Sequence, residues 1–330
     1  MASEMNRRAF LKDSILASAA GAMAIQSQTS GEEAKPAASQ PASAPASAPA
    51  AKNALPTGKF NFLHVSRLIL GGNLLTHFTH SRDLKYVYNL AAHYNTEAKI
   101  LETLALAEEN GINTMSVHNP PAILKILQKH RKLGGKMQWI ICPTASVETG
   151  EDYLRQVQEL ADMGCDAIYV WGVRSDPLAG QGKVDMILKA VSIARNLGLP
   201  SGVGAHDLKV VQECEKRGVE PDFYIKTFHH HNYPSAPKPE QLKGPYSEVP
   251  GYWCRDPKET IETMKAVKKP WIAFKVMAAG AIPPKDAFQY AFNNGADHVL
   301  AGMFDFEIEQ DVAFAREAIE KAKRERPWRS

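Results

Sequence analysis

At several points of this chain, ionisable residues closely follow short apolar segments in the sequence. His118 directly follows the segment Thr114–Val117, and His206 comes soon after Ser201–Gly204. Lys275 lies in a third apolar segment. Imidazole and amine groups serve as general acids and bases, nucleophiles or metal ligands. If the apolar segments are parallel strands of one barrel, their carboxyl ends form one rim, and these distant residues converge there.

The same reasoning gives two sets of predicted site residues around that rim. The predicted catalytic groups are His118, His206, Lys226 and Lys275. The predicted substrate-binding residues are Asn73, His77, Trp171, Arg174, His229, Tyr233 and Trp253. These polar and aromatic side chains predict an enzyme that acts on a small polar, carbohydrate-derived metabolite.

A divalent metal is one use for so many histidines. His118, His206, His231 and Asp305 could supply imidazole and carboxylate ligands and leave an open position for water, as in metal-dependent hydrolases and isomerases. The chain has no HExxH motif that would fix the ligand geometry.

Schiff-base chemistry is a second use. Two neighbouring ammonium groups lower each other's pKa, so Lys226 or Lys275 could act as a neutral amine nucleophile near pH 7. The segment Phe223–Thr227 is similar to the lysine-bearing strand of deoxyribose-phosphate aldolase. That resemblance implies a lyase or aldolase.

A barrel without catalysis is the third alternative. Trp171, Tyr233, Tyr252 and Trp253 could stack against a ligand such as a sugar. The long segment 233–253, rich in Pro, Gly and aromatic residues, would then cover the barrel mouth as a lid.

The elements that must position these residues alternate between strand and helix. Eight apolar segments are predicted strands: 67–71, 114–117, 138–142, 167–171, 201–204, 223–226, 271–276 and 299–301. Predicted helices between or after them include 96–110, 151–163, 184–197, 208–217, 257–267, 285–293 and 309–323. Gly164, Gly218 and Gly295 each end a helix shortly before a strand. Eight such units in about 265 residues predict a single-domain α/β fold, the (β/α)8 TIM barrel.

The barrel segment resembles the aldo-keto reductases. Val65–Gly72 is similar to that family's opening strand, and Ala105–Asn113 is similar to its helix-to-second-strand junction. Gly202–His206 and Gly295–Gly302 resemble its fifth and eighth strand regions. The resemblance implies a nicotinamide cofactor, NAD(P), and carbonyl reduction.

The family's catalytic tetrad is not retained in this alignment. Its Asp, Tyr, Lys and His fall at Ser116, near Pro121, at about Pro143 and at Trp171. The segment Met303–Glu307 is acidic where the family binds the nucleotide phosphate, and acidic side chains repel that group.

Charge and cysteine content exclude other classes. The net charge is +3 over 330 residues, with basic and acidic residues interspersed, which argues against nucleic-acid binding. Four cysteines have no metal-type spacing. Cys142 and Cys165 lie in apolar contexts typical of buried thiols. A disulfide between Cys214 and Cys254 is an alternative in an oxidising compartment.

The amino terminus predicts export. Arg7, Arg8, Phe10, Leu11 and Lys12 match the twin-arginine motif, and an apolar run follows that is too short for a permanent membrane span. We therefore expect a twin-arginine signal over residues 1–25, a Pro/Ala/Ser-rich disordered linker over 26–58 and the barrel over 59–330. The resemblance implies the Tat translocation machinery as a partner and a periplasmic or extracellular protein, membrane-anchored if the signal stays uncleaved.

Overall fold

The computed structural model describes residues 54–330 except 245, 248 and 250. The predicted signal peptide and residues 26–53 of the predicted linker lie outside the described residues. No helix in the described part of the chain is long and apolar enough to cross a membrane.

Ten strands build the described fold. They are β1 (Thr57–Phe60), β2 (Leu63–Ser66), β3 (Leu68–Gly71), β4 (Thr114–His118), β5 (Gln138–Cys142), β6 (Ala167–Val170), β7 (Ser201–Ala205), β8 (Phe223–Thr227), β9 (Trp271–Phe274) and β10 (His298–Ala301). Strands β3 to β10 are parallel, and β10 pairs with both β9 and β3, so the sheet closes on itself. The predicted (β/α)8 barrel is confirmed.

Helices surround this barrel. They are α1 (Lys85–Tyr94), α2 (Glu97–Glu109), α3 (Pro121–Lys132), α4 (Gly150–Asp162), α5 (Gly172–Gly180), α6 (Val184–Asn196), α7 (Leu208–Arg217), α8 (Pro257–Ala266), α9 (Pro284–Asn293) and α10 (Ile308–Glu320). Two short 3-10 helices cover Pro239–Gln241 and Asp305–Glu307.

Side-chain alternation along the strands divides the core into two layers. Residues facing the barrel axis, among them Ile69, Ile140, Phe223 and Ile272, form one buried cluster. The opposite strand faces pack with the helices in a larger cluster. The barrel interior is therefore filled by side chains.

The β1–β2 hairpin covers the amino ends of the strands. Phe60 is 2% exposed, and its ring centroid lies 4.7 Å from that of Phe223, the first residue of β8. Thr57 pairs with Ser66, and Leu55 is buried, so the ordered domain begins before the predicted boundary at residue 59. Because the hairpin closes this end, the carboxyl rim is the open one.

The eight predicted strands agree with β3–β10 to within two residues at every end. The helix 208–217 matches α7 in full. The β1–β2 hairpin and the helices α1, α3 and α5 are not among the predicted elements. All four cysteines are buried and free, so Cys214 and Cys254 are not joined.

Candidate active site at the carboxyl rim of the barrel

A histidine–aspartate pair lies at the rim. His206 directly follows β7, and its Nδ1 lies 2.8 Å from Oδ2 of Asp176 on α5. The backbone N–H groups of His206 and Asp207 both donate to Oδ1 of Asp176 at 3.0 Å. An ionised carboxylate only accepts hydrogen bonds, so Nδ1 carries the proton and Nε2 keeps its lone pair.

The local chain course explains why the two side chains meet. Helix α5 begins at Gly172, directly after Trp171 at the end of β6, and Asp176 lies one turn into it. A Cβ atom at position 172 would lie 3.0 Å from His206 Nδ1, so glycine is needed for the imidazole to approach. The packing of α5 against β7 keeps Asp176 next to His206.

Burial keeps the imidazole neutral. His206 is 8% exposed, and this burial lowers its pKa from the ordinary value, while the hydrogen bond to Asp176 opposes the shift. The positive charge of Lys275 lowers the pKa further. At neutral pH His206 is therefore a base, oriented by a carboxylate.

His206 lines a cavity of about 60 Å³ at the centre of the rim, here called the mouth cavity. Its polar lining comes from the ends of different strands and the loops after them: Asn73, His80, Ser116, His118, Cys142, Tyr169, His206 and Lys275. A space of this size admits the reacting end of a substrate, whereas typical pockets for whole ligands measure some 300–1,000 Å³.

Aromatic rings hold the ammonium of Lys275 at the edge of the mouth cavity. Its Nζ lies 5.0 Å from the ring centroid of Trp253, 5.6 Å from that of Phe274 and 5.8 Å from that of Tyr246. Lys275 also adopts φ +55°, a left-handed conformation that is costly outside glycine and concentrates at functional sites. The Tyr246 ring centroid lies 4.4 Å from that of His206.

Five predicted site residues meet at the mouth cavity: Asn73, His118, Trp171, His206 and Lys275. The rings of His118 and Trp171 are stacked at 6.1 Å with an interplanar angle of 4°. Burial lowers the pKa of His118, so this imidazole is also neutral.

Lys226, a predicted catalytic amine, does not line the mouth cavity. Ile225 faces the barrel axis and lines the mouth cavity, and the next side chain on a strand points to the opposite face. Lys226 is 1% exposed and donates to O and Oγ1 of Thr227 at 2.7 and 3.1 Å. The small space beside it measures about 10 Å³, enough for about one water molecule and not for a substrate.

His229 and His231 hold the long segment after β8 in place through hydrogen bonds. Nε2 of His229 accepts the backbone N–H of Trp253 at 3.0 Å and that of Cys254 at 3.2 Å. His231 Nε2 lies 2.7 Å from the carbonyl oxygen of Cys254. Their positions are therefore structural, and the fastened segment brings Tyr246 and Trp253 to the rim.

Three other predicted substrate-binding residues make contacts within the protein and do not line the mouth cavity. His77 Nε2 lies 3.1 Å from the carbonyl oxygen of Asn95, and Arg174 donates to the carbonyl of Thr144 at 2.8 Å. The Tyr233 hydroxyl donates to the Gly251 carbonyl at 3.2 Å.

The four predicted metal ligands do not meet. Asp305 accepts hydrogen bonds from Tyr94 at 2.7 Å and Lys99 at 2.9 Å, and His231 is held by Cys254. Within the described residues, no group of three or more His, Cys, Asp and Glu side chains is placed to hold a metal ion. The metal-site prediction is not supported by this geometry.

Asp176, Tyr169, His80 and Tyr246 belong to the site but are not among the predicted site residues. Tyr169 is in a predicted strand, and the alternation of side chains could have assigned it to the barrel axis. Asp176 carried a weaker signal, because it lies inside a helix thirty residues before its partner.

A groove of about 410 Å³ adjoins the mouth cavity. It is the space in which the nicotinamide cofactor implied by the resemblance would have to fit. Its acidic lining is Glu307 and Asp311, and Lys275 is the only Lys or Arg among its described lining residues. A pyrophosphate needs cationic or amide donors, so this lining does not fit a dinucleotide.

Comparisons with known proteins bear on the fold alone. No protein-family model and no curated protein matches the chain. A solved structure from Pseudomonas aeruginosa, assigned to the aldo-keto reductases, matches with a TM-score of 0.54 and 17% identity, covering 81% of this chain and 98% of that one. The holo form of an aldo-keto reductase from Bacillus halodurans matches with a TM-score of 0.53 and 12% identity, covering 84% and 100%. This chain has the aldo-keto reductase barrel fold. A third match, assigned as a 2,5-diketo-D-gluconic acid reductase, has a TM-score of 0.50 and 13% identity, covering 82% and 91%.

Proposed function

We propose that this chain is an exported enzyme that transfers a proton at a carbon next to a carbonyl group of a small polar, carbohydrate-derived metabolite. The observation that carries the proposal is the Asp176–His206 pair, which leaves Nε2 of a neutral imidazole as an acceptor at the mouth cavity.

The proposed step is an enolisation. Nε2 of His206 takes the proton from the carbon, the C–H electron pair forms the new C=C bond, and the carbonyl π electrons move to oxygen. Asp176 stabilises the resulting imidazolium, and the ammonium of Lys275 stabilises the developing oxyanion. Return of the proton from the imidazolium to the neighbouring carbon of an enediolate, with the hydroxyl proton of that enediolate passing between its two oxygens, gives an isomer.

Tyr169 supports the same step from the floor of the mouth cavity. Its side chain is 8% exposed, and burial raises the pKa of the phenol well above its ordinary value. The phenol therefore stays protonated, and its hydroxyl, which contacts the Cys142 thiol, can exchange that partner for the substrate oxygen. The name of one structural neighbour, a 2,5-diketo-D-gluconic acid reductase, is consistent with a carbonyl-bearing sugar derivative in this type of barrel.

Solvent exchange tests the reaction class. The purified protein is incubated in D2O with a panel of ketoses, aldoses and keto sugar acids, and deuterium at the carbon next to the carbonyl is measured by mass spectrometry. We expect exchange with the wild type, and a loss of about 10²-fold or more in His206→Gln and Asp176→Asn. His93→Gln, an exposed histidine on α1, is the matched control and should retain the wild-type rate.

Three outcomes would contradict the proposal. One is the absence of exchange with every compound, and another is full exchange in His206→Gln. The third is a borohydride-trapped adduct lost in Lys275→Ala, which would assign Lys275 to the Schiff-base alternative instead of oxyanion stabilisation.

Export rests on the twin-arginine motif of Arg7 and Arg8. Replacing both with lysine should leave the protein in the cytoplasm of a host that has the Tat machinery. Appearance of the double variant outside the cytoplasm at the wild-type level would argue against this route.

A further inference from the structure

The groove adjoins the mouth cavity, because Asn73, Phe274 and Lys275 line both spaces. A ligand with its reacting end near His206 therefore extends its remainder into the groove. Most of the groove surface is apolar, with Leu74 and Met277 among the lining residues. Burial of apolar ligand surface there is favourable in proportion to its area.

The charge of the groove disfavours an anion. Asp311 is 3% exposed, and burial, together with the nearby Glu307 carboxylate, raises the pKa of Asp311 to about 7. Near neutral pH the Asp311 carboxyl group in the groove is therefore only partly protonated, and it lies beside the acidic side chain of Glu307. Lys275 lies at the inner end, among aromatic rings.

Two buried donors line the groove without a partner in the described part of the chain. They are Oγ1 of Thr79 and Nε1 of Trp253, and the Trp253 side chain is fully buried. An unpaired buried donor is costly, and a ligand acceptor would satisfy it. A hydroxyl and an indole N–H suit uncharged oxygen acceptors such as ether or hydroxyl groups.

We propose that this groove binds an uncharged, largely apolar group of the substrate, namely the aglycone of a glycoside whose sugar carries a keto group, and not the anionic dinucleotide implied by the resemblance to aldo-keto reductases. The placement of the sugar end near His206 rests on the proposed function. The groove itself supplies the apolar surface, the two donors and the exclusion of phosphate.

Binding measurements on the full chain test this inference. The probes are a panel of neutral phenyl glycosides, the corresponding free sugars and NADPH, each titrated by calorimetry. We expect at least one phenyl glycoside to bind tenfold or more tightly than its free sugar, and NADPH to bind at least a hundredfold more weakly than that glycoside. NADPH binding as tight as that of the best glycoside would overturn the proposal, as would equal affinity for every glycoside and its free sugar.

Variants locate the site. Thr79→Val removes an unpartnered hydroxyl at nearly constant volume, so it should weaken glycoside binding about tenfold without lowering the melting temperature of the free protein. Thr149→Val, at an exposed position before α4, is the matched control and should leave the affinity unchanged. Unchanged affinity in both Thr79→Val and Trp253→Phe would refute the groove as the binding site.

The groove and the reaction can fail separately. His206→Gln should abolish deuterium exchange but keep phenyl glycoside binding within threefold. Exchange without glycoside binding would overturn the groove proposal alone. Glycoside binding without any exchange would overturn the proposed function alone.

Discussion

His229 gives a quantitative prediction about acid stability. The imidazole is fully buried, its Nε2 accepts two backbone N–H groups, and its Nδ1 donates to the His230 carbonyl at 2.9 Å. Protonation of Nε2 would remove both accepted bonds and leave a buried charge. Burial accordingly lowers the pKa of His229 from 6.5 to about 3.

The sign follows from proton binding in the two states. Between pH 6.5 and 3 the unfolded chain binds a proton at this histidine and the folded protein does not, so falling pH favours unfolding. The stabilising contribution is complete above pH 6.5. By pH 5 it has decreased by about 2 kcal/mol, which is a large share of a typical stability of 5–15 kcal/mol.

The assay compares the wild type with His229→Gln, whose amide oxygen can accept the same N–H groups but does not titrate. Free energies of unfolding come from urea denaturation at pH 7.5 and 5.0, followed by tryptophan fluorescence. The stability advantage of the wild type should shrink by about 2 kcal/mol between these pH values. The comparison cancels every other titrating group, and His93→Gln controls for an exposed histidine. An advantage that stays constant within about 0.5 kcal/mol would refute the account of His229 as a neutral acceptor.

Three further predictions concern other parts of the barrel. Lys226→Met should retain full activity and an unchanged or higher melting temperature, because Lys226 does not face the mouth. Loss of turnover in this variant would instead support the hypothesis that Lys226 is a catalytic amine. Gly172→Ala should lower kcat by tenfold or more without unfolding the protein, because the new Cβ would lie 3.0 Å from His206 Nδ1; wild-type kcat would show that the imidazole position is not critical. The free energy of unfolding of Asp311→Asn should rise by about 3 kcal/mol relative to that of the wild type between pH 4.5 and 7.5, because the folded state holds the Asp311 proton up to about pH 7. Urea denaturation checks this, and a difference that does not depend on pH would contradict it.

The fold was predictable because its signals are local and repeated. Each barrel strand is a short apolar run, and glycines such as Gly164, Gly218 and Gly295 mark the helix ends before the next strand. The β1–β2 hairpin was not predicted, since its four-residue strands alternate weakly and its packing against Phe223 depends on residues far along the chain.

The site was predictable only in part. His206 and Lys275 follow from their places at strand ends. Lys226 is also near a strand end but lies on the opposite face of its strand from the mouth cavity, because a strand-end position does not specify the direction of the side chain. The contact of Asp176 with His206 depends on the packing of α5 against β7. The role of His229 depends on a segment 24 residues later that comes back to it. Such tertiary contacts leave no periodic pattern in the sequence.

The protonation state of His206 is the most direct test of the central claim. Nitrogen-15 NMR of histidine-labelled protein at pH 7.5 should show a neutral imidazole with the proton on Nδ1, and the Asp176→Asn variant should lose that tautomer preference. A ligand in the mouth cavity should then shift the Nε2 resonance. An imidazole protonated at Nε2 in the wild-type protein would contradict the account, because no base would face the substrate.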